Sequence, residues 1–173
     1  MDVNEGRLRI LGETAKSHQV AGLITAIYSD LRVFAETKEV KYDKLLLDAP
    51  CSGIGVLSKV NMSNFLSYSD LRLNCKLEDM EELKNLQDEL LDSASKYAHT
   101  LPGGFLIYST CSIDPEENQG RVEAFLLRHP EFSVDPVDRL VPSSFVTSQG
   151  VFLSNPVKHS LDGAFAARLV RAL

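Results

Sequence analysis

Two short segments of the sequence each place a cysteine directly after an apolar run. In residues 45–55, LLLDAPCSGIG, three leucines end in Asp48, and Cys51 follows in a turn-like Pro-Cys-Ser-Gly segment. In residues 103–118, GGFLIYSTCSIDPEEN, Cys111 stands between the apolar run and an expected helix start. A lone free cysteine is usually a small buried hydrophobe. Two cysteines at equivalent places, each followed by serine, favour thiol chemistry, which a nearby helix N-terminus promotes.

Alternating helices and short apolar strands must position these two segments. Apolar periodicity predicts helices over 4–21, 78–98 and 114–129, and strands over 23–30, 44–48, 105–109, 132–134, 151–153 and 164–170. This alternation predicts an α/β fold with a mostly parallel sheet. Ligands of such sheets bind beyond the carboxyl ends of the strands. Asp30, Asp48 and Cys111 all fall at those ends.

The helix signals are specific at three points. Asn4 is the expected N-cap of the first helix. In the second helix, apolar residues three or four positions apart predict one buried face, formed by Leu83, Leu86, Leu90, Ala94 and Tyr97. The third helix has Asp114 as its expected cap, Pro115 at its first position and Glu117 as the partner in a capping box.

Composition and charge bound the class of protein. With 173 residues, the chain is about the size of one domain, and its net charge of −6 gives no bulk attraction to nucleic acid. Cys51, Cys75 and Cys111 form no Cys-x-x-Cys pair and the histidines are scattered singly, so we expect no metal site. An odd cysteine count without a secretory signal predicts free thiols in a reducing, intracellular compartment. No apolar run approaches the ~20 residues of a membrane span.

The paired cysteine segments resemble a known family. Asp-Ala-Pro-Cys-Ser-Gly and Ser-Thr-Cys-Ser, with a leucine-rich helix between them, are similar to motifs of the Nol1/Nop2/Sun family of S-adenosylmethionine-dependent RNA cytosine-C5 methyltransferases, and in particular of its bacterial ribosomal RNA branch. The segments DVNEGRLRIL, SDLR, LQDELL and DGAFAARLV extend the resemblance along nearly the whole chain. It implies a Rossmann-like class I methyltransferase domain that binds S-adenosylmethionine and RNA, with ribosomal RNA as the expected substrate.

The resemblance also implies roles for five residues. Cys111 matches the family's nucleophile, which adds to C6 of cytosine, and Cys51 matches the second cysteine, which assists release of the methylated RNA. Asp48 matches an acid that touches both the cofactor and the base. Asp2 and Asp30 match acids that bind the ribose hydroxyls and the adenine amino group of the cofactor. Without the resemblance, these last two acids would be interpreted as ordinary strand-end or capping residues.

The chain departs from the family pattern in two places. Family members place two strands, a helix and a Pro-Gly-Gly-Lys-type loop before the position of Asp2. We therefore expect residues 1–173 to form a partial catalytic domain that lacks its first two strands and much of the cofactor floor. The segment between the two motifs is also longer by roughly ten residues, a tolerable surface insertion by length alone. In it, Leu73 replaces a tryptophan, and Cys75 stands where an arginine is common.

Two functions stay open on the sequence alone. The chain is interpreted first as an RNA methyltransferase domain that is weakly active or inactive by itself. The alternative is a non-catalytic remnant that binds RNA or another chain, for which the strand edge exposed at 23–30 would offer a surface. A cysteine hydrolase is disfavoured because neither motif contains a histidine base. A thiol redox role would require Cys51 and Cys111 to lie close together.

Overall fold

The computed structural model describes residues 1–37, 40–56, 77–97 and 104–172, and the chain divides into two compact units, Met1–Val40 and Lys41–Leu173. The first unit contains α1 (Glu5–Ser17), a 3₁₀ turn (Ala21–Leu23) and α2 (Leu31–Thr37). The described elements of the second unit are β1 (Lys44–Asp48), α3 (Leu77–Ser95), β2 (Phe105–Thr110), α4 (Gln119–Arg128), β3 (Phe132–Val134), a 3₁₀ turn (Ser143–Phe145), β4 (Phe152–Ser154), α5 (Pro156–His159) and β5 (Ala164–Arg171).

Helix α1 begins where the sequence predicts and ends earlier. The Asn4 side chain accepts a hydrogen bond from Arg7 N at 3.0 Å, which confirms the predicted N-cap. The helix ends at Ser17, because His18 N still donates to the preceding turn while Gln19 adopts a left-handed φ of 59°. A residue in this conformation cannot continue a right-handed helix, so the predicted extension to residue 21 is wrong.

The predicted strand over 23–30 is not formed. The structure shows a single parallel bridge between Asp2 and Tyr28, in which Asp2 N donates to Ile27 O (3.1 Å) and Ser29 N donates to Asp2 O (3.3 Å). Pairing stops there because the chain enters α1 directly after this bridge. The strand edge that we expected as an association surface is therefore absent from residues 23–30.

Helix α2 is an element that the sequence analysis missed. Asp30 occupies its N-cap position: its backbone carbonyl accepts from Phe34 N (2.9 Å) and its carboxylate accepts from Arg32 N (2.8 Å). An aspartate before an apolar-periodic segment is a recognised helix-start signal. The sequence analysis placed Asp30 at the end of a strand and allowed a capping role, but predicted no helix after it.

The sheet of the second unit confirms the α/β class. Its described strands lie in the order β1-β2-β5-β3, and β4 pairs with β5. Among the described strands, only β1 and β2 pair in parallel, whereas β5 is antiparallel to β2, β3 and β4, so the sheet is mixed and not mostly parallel as predicted. The segment between β4 and β5 is shorter than the dozen or more residues that a parallel crossover needs, so these two strands pair antiparallel.

The core of the second unit lies between the sheet and helices α3 and α4. Strands β2 and β5 bury alternate side chains, among them Leu106, Tyr108, Phe165, Ala167 and Leu169. Helix α3 contacts α4, β1 and β2, and its predicted buried face is only partly correct. Ala94 and Tyr97 are buried as predicted, whereas the predicted leucines are half-buried and Lys84, Gln87 and Leu91 are buried in their place. Lys84 Nζ and Gln87 Nε2 are hydrogen-bonded, while Gln87 Oε1 is buried without a partner.

The turn after β2 corrects the predicted capping box. Asp114 accepts a hydrogen bond from a backbone N–H two residues later (2.9 Å), but this closes a turn, and α4 begins only at Gln119. The carboxylate of Glu117 does not reach back to the cap. It is fully buried and contacts Ser52 and Gln87 instead.

Two further sequence predictions concern the insertion and membrane-spanning segments. The insertion between the two motifs, with Leu73 and Cys75, lies outside the described residues. None of the helices in the described part of the chain combines the length and apolar character that a membrane crossing requires.

Candidate active site

The parallel pairing of β1 with β2 brings both cysteine segments to one edge of the sheet. Asp48, the last residue of β1, lies opposite Ser109 of β2 in the strand register. The chain leaves β1 toward Cys51 and leaves β2 toward Cys111 from this same edge. The expectation that these two segments meet at the carboxyl ends of parallel strands therefore agrees with the structure.

The two sulfur atoms lie next to each other. Cys51 Sγ is 3.3 Å from Cys111 Sγ and also accepts a hydrogen bond from Cys111 N at 3.3 Å. Both cysteines are free; Cys111 is exposed, and Cys51 is half-buried behind it. Cys111 is therefore the sulfur that a ligand can reach, and Cys51 is a thiol that contacts it from behind.

The surroundings of Cys51 favour its neutral form. Burial, followed by the contact with the adjacent Cys111 sulfur, raises the pKa of this thiol from 9.0 to about 12. Folding therefore stabilises the protonated thiol, a contribution that is complete below pH 9.0 and is lost as the pH rises toward 12. At neutral pH, the Cys51 thiol is therefore protonated and able to donate a hydrogen bond.

This arrangement predicts unequal thiol reactivity. We expect iodoacetamide to alkylate Cys111 at least ~10-fold faster than Cys51 between neutral pH and pH 9.0. The reagent reacts only with a sulfur that is ionised and that it can reach. Peptide mass mapping separates the two cysteines from Cys75, and the two rates should converge in denaturant. Equal rates in the folded protein would contradict the assigned burial of Cys51.

Asp48 is held at the same edge. Its Oδ1 atom accepts from Ser109 Oγ at 3.2 Å, and Ala49 N donates to Ser109 O at 2.9 Å. The Asp48 side chain is exposed. A carboxylate can accept about four hydrogen bonds, so Asp48 can still accept hydrogen bonds from a ligand.

A buried polar cluster, which the sequence analysis missed, supports the turn of Cys51. Glu117 accepts hydrogen bonds from Ser52 N (2.9 Å), Ser52 Oγ (2.5 Å) and Gln87 Nε2 (3.0 Å). The Gln87 amide also donates to Pro50 O at 2.9 Å. The two residues that flank Cys51 are thus both tied to buried side chains. The apolar periodicity of α3 gave no signal for Gln87, because the predicted stripe of Leu83, Leu86 and Leu90 leaves it out.

The turn of Cys111 is supported by the same part of the chain. Tyr108 Oη donates to Glu117 O at 2.7 Å, and Thr110 Oγ1 donates to Asn118 Oδ1 at 2.5 Å. The amide of Asn118 donates to Ser112 O at 2.9 Å. All of these residues are buried. The segment before α4 therefore orders the end of β2 and the residues after it.

Two glycines let the cysteine segments approach closely. Gly55 N donates to Cys111 O at 3.1 Å, and Gly163 N donates to Gly55 O at 2.7 Å. A Cβ atom on Gly55 would lie 2.7 Å from Cys111 O and 2.7 Å from Gly163 O. Since both neighbours are backbone atoms, neither can move aside without shifting a strand end.

A Gly55→Ala replacement tests this contact. We expect it to lower the free energy of unfolding by about 1–3 kcal/mol, because the added methyl overpacks the two backbones. Gly12→Ala is the control: nothing lies within 4 Å of its added Cβ in α1, and we expect a gain of about 0.5–1 kcal/mol. Chemical denaturation measures both. Similar stabilities of the two variants would refute the close contact.

The two acids assigned to the cofactor lie in the first unit. Asp2 Oδ1 accepts from Asn4 N at 2.8 Å, while its Oδ2 is 3.7 Å from Arg7 Nη1, beyond hydrogen-bond distance. Both oxygens of Asp30 are paired with Arg32, at 3.0 Å and 2.6 Å, and these bonds hold the Asp30 pKa below its usual value. Asp2 Oδ2 is therefore ion-paired with Arg7 without a hydrogen bond, and Asp30 shares its carboxylate with a guanidinium group. Within the described ranges, no three His, Cys, Asp or Glu side chains cluster as metal ligands would.

Comparison with solved structures establishes the class of protein. Residues of this chain superimpose on the structure titled NSun6 from Pyrococcus horikoshii with SFG, with a TM-score of 0.78 and 29% identity, over 99% of this chain and 40% of that one. This is the Rossmann-like methyltransferase fold. The chain belongs to the 16S rRNA methyltransferase RsmB/F family, whose model matches residues 1–170. The family resemblance inferred from the paired motifs is confirmed.

Curated relatives carry the same family name. Ribosomal RNA small subunit methyltransferase B of Shewanella oneidensis is 36% identical over 132 residues, which cover 76% of this chain and 28% of the relative. The protein of that name from Thermus thermophilus is 35% identical over 162 residues, which cover 90% of this chain and 37% of the relative. The chain thus spans about a third of the length of these relatives.

Proposed function

We propose that this chain carries the catalytic centre of an RNA cytosine-C5 methyltransferase that acts on small-subunit ribosomal RNA. The observation that supports this most is the exposed Cys111 sulfur, 3.3 Å from the half-buried Cys51 thiol at the sheet edge that also carries Asp48. The names of the curated relatives support ribosomal RNA as the substrate.

Cys111 is the proposed nucleophile. Carbon C5 of cytosine is a weak nucleophile, and addition of the Cys111 thiolate to C6 forms an S–C6 bond while the C5–C6 π electrons move toward C5. Asp48 accepts a hydrogen bond from the exocyclic amine of the base, which keeps the ring oriented at the sheet edge and stabilises the adduct. S-adenosylmethionine, when bound, supplies the electrophilic methyl group for C5.

Cys51 is the proposed group for release. The C5 proton is lost to solvent, the C5–C6 double bond is restored and the S–C6 bond breaks, so Cys111 leaves as a thiolate. The Cys51 thiol, which is protonated at neutral pH and lies 3.3 Å away, donates a hydrogen bond to that leaving sulfur and so stabilises it. The half-buried position of Cys51 suits this role, because it keeps the thiol protonated.

The residues present fit parts of an S-adenosylmethionine molecule. The Oδ2 atom of Asp2, ion-paired with Arg7, is an acceptor suited to a ribose hydroxyl, and the Asp30 carboxylate is an acceptor suited to the adenine amine, although it also serves Arg32. We propose these two contacts for the first unit; the cofactor contact proposed for Asp48, in the second unit, is supported by the family resemblance alone. A structural neighbour titled as holding SFG supports a cofactor of this type.

Covalent trapping tests the proposed nucleophile without relying on the cofactor. RNA that contains 5-azacytidine is added with and without S-adenosylmethionine, because thiolate addition to this base requires no methyl transfer. We expect a complex that survives SDS, formed with 5-azacytidine RNA and absent with uridine in its place. RNA binding without any covalent complex would contradict the proposal and is what a non-catalytic RNA-binding remnant predicts.

A further inference from the structure

We propose that Glu117 is a positioning residue of the two-cysteine site, which acts on Cys51 through Ser52. This inference rests on the proposed function for its catalytic meaning. Its structural basis is independent of that function. Glu117 touches neither sulfur in the structure, and it lies in the segment that precedes α4.

The environment of Glu117 is built for an accepting carboxylate. The residue is fully buried, and each of its three side-chain partners is a donor: the Ser52 backbone N–H, the Ser52 hydroxyl and the Gln87 amide. A buried carboxylate with three donors is held in one geometry, because hydrogen bonds to a charged acceptor are short and strong. Two of these three bonds go to the residue that directly follows Cys51.

Glu117 and Gln87 together fix Cys51 from both sides along the chain. Gln87 donates to Pro50 O, before the cysteine, and to Glu117, whose carboxylate holds Ser52, after the cysteine. Glu117 and Gln87 are both fully buried, whereas the Cys51 turn itself is only half-buried. The rigidity of this turn therefore comes from the side chains beneath it.

The same glutamate relates this turn to the one that carries Cys111. Its backbone carbonyl accepts from Tyr108 of β2 at 2.7 Å. Ser52 Oγ, which donates to Glu117, also lies 3.3 Å from Ser112 Oγ. The two Cys-Ser dipeptides thus lie side by side, sulfur against sulfur and hydroxyl against hydroxyl. Holding Ser52 in place consequently sets the distance between the sulfurs.

The experiment measures the reactivity of each cysteine, which requires neither RNA nor cofactor. Glu117→Gln removes the negative charge that strengthens the bonds to the Cys51 turn, and the Ser52 hydroxyl must turn from donor to acceptor. We expect alkylation of Cys51 to rise about 10-fold in this variant, while alkylation of Cys111 changes by less than about 3-fold. Glu123→Gln is the control, because Glu123 is exposed and its partner Gln149 donates equally well to an amide oxygen; it should leave both rates unchanged.

A second variant separates positioning from general stability. Ser52→Ala removes only the hydroxyl contacts, and in that background we expect Glu117→Gln to raise Cys51 alkylation by about half as much or less, because the two changes act on one connection. If Glu117→Gln does not fold, Ser52→Ala alone should still raise Cys51 alkylation by about 3-fold. Unchanged Cys51 alkylation in a folded Glu117→Gln variant of lowered stability would overturn the proposal. Failure of 5-azacytidine trapping in the unmodified protein would instead count against the proposed function and leave the alkylation result as it is.

Discussion

Replacing Cys111 by serine is expected to abolish covalent trapping of RNA and to reduce methyl transfer by at least ~10³-fold. A serine hydroxyl is not ionised at neutral pH, and the hydrogen bonds of this turn include no histidine that could activate one. Because the Cys111 side chain is exposed, we expect the free energy of unfolding to change by less than about 0.5 kcal/mol. The covalent complex is measured by its resistance to SDS, and methyl transfer by radiolabel in the RNA.

Cys75→Ser is the matched control for this replacement. It removes a thiol that belongs to neither motif, and we expect trapping to be retained. A Cys111→Ser protein that still forms the complex would assign the nucleophile to another residue. A variant that loses trapping together with its folded structure would be uninformative, which is why the unfolding measurement accompanies the assay.

Replacing Cys51 by serine is expected to have the opposite effect on the covalent complex. Adduct formation needs only Cys111, whereas release is assisted by a hydrogen-bond donor to the departing sulfur. The thiol that lies 3.3 Å from that sulfur would be gone. We therefore expect RNA with ordinary cytidine to remain covalently attached, and turnover to fall by about 10²-fold or more.

The assay for this second replacement follows SDS-resistant complex and methylated RNA over time in the same sample. The Cys51→Ser, Cys111→Ser double variant should form no complex, which shows that the accumulated species is attached through Cys111. Turnover of Cys51→Ser at the rate of the unmodified protein, with no complex, would contradict a role of Cys51 in release.

The meeting of the two cysteines was predictable, but the distance between them was not. Apolar runs that end in Asp48 and before Cys111 are sufficient to predict two strands, and the carboxyl ends of parallel neighbours share an edge. The 3.3 Å separation of the sulfurs depends on the contacts of Ser52 with Ser112 and Glu117. These contacts join segments about sixty positions apart, and no local pattern reports them.

Glu117 shows that a residue can fit a local sequence motif and still form its hydrogen bonds with residues far away in the chain. An aspartate followed three residues later by glutamate fits a capping box, and the sequence cannot tell that interaction from a tertiary one. In the structure, Ser52 N and Gln87 Nε2 donate hydrogen bonds to the Glu117 carboxylate, and α4 starts at Gln119. The burial of Gln87 is the physical reason, because its amide needs an acceptor within the core.

The predicted strand over 23–30 failed for a different reason. Its β-branched and apolar composition suits a strand, but a strand exists only where a neighbour pairs with it. The structure provides one bridge, from Asp2 to Tyr28, before α1 begins. Composition is a property of the segment alone, whereas strand pairing also requires a second backbone segment at hydrogen-bonding distance.

The most direct test of the account is to identify the atom that holds the RNA. The complex with 5-azacytidine RNA is digested with protease and nuclease, and tandem mass spectrometry locates the modified cysteine. We expect the nucleotide mass on the peptide that contains Cys111, with Cys51 unmodified in the same molecules. A nucleotide attached to Cys51 or Cys75, with Cys111 free, would contradict it.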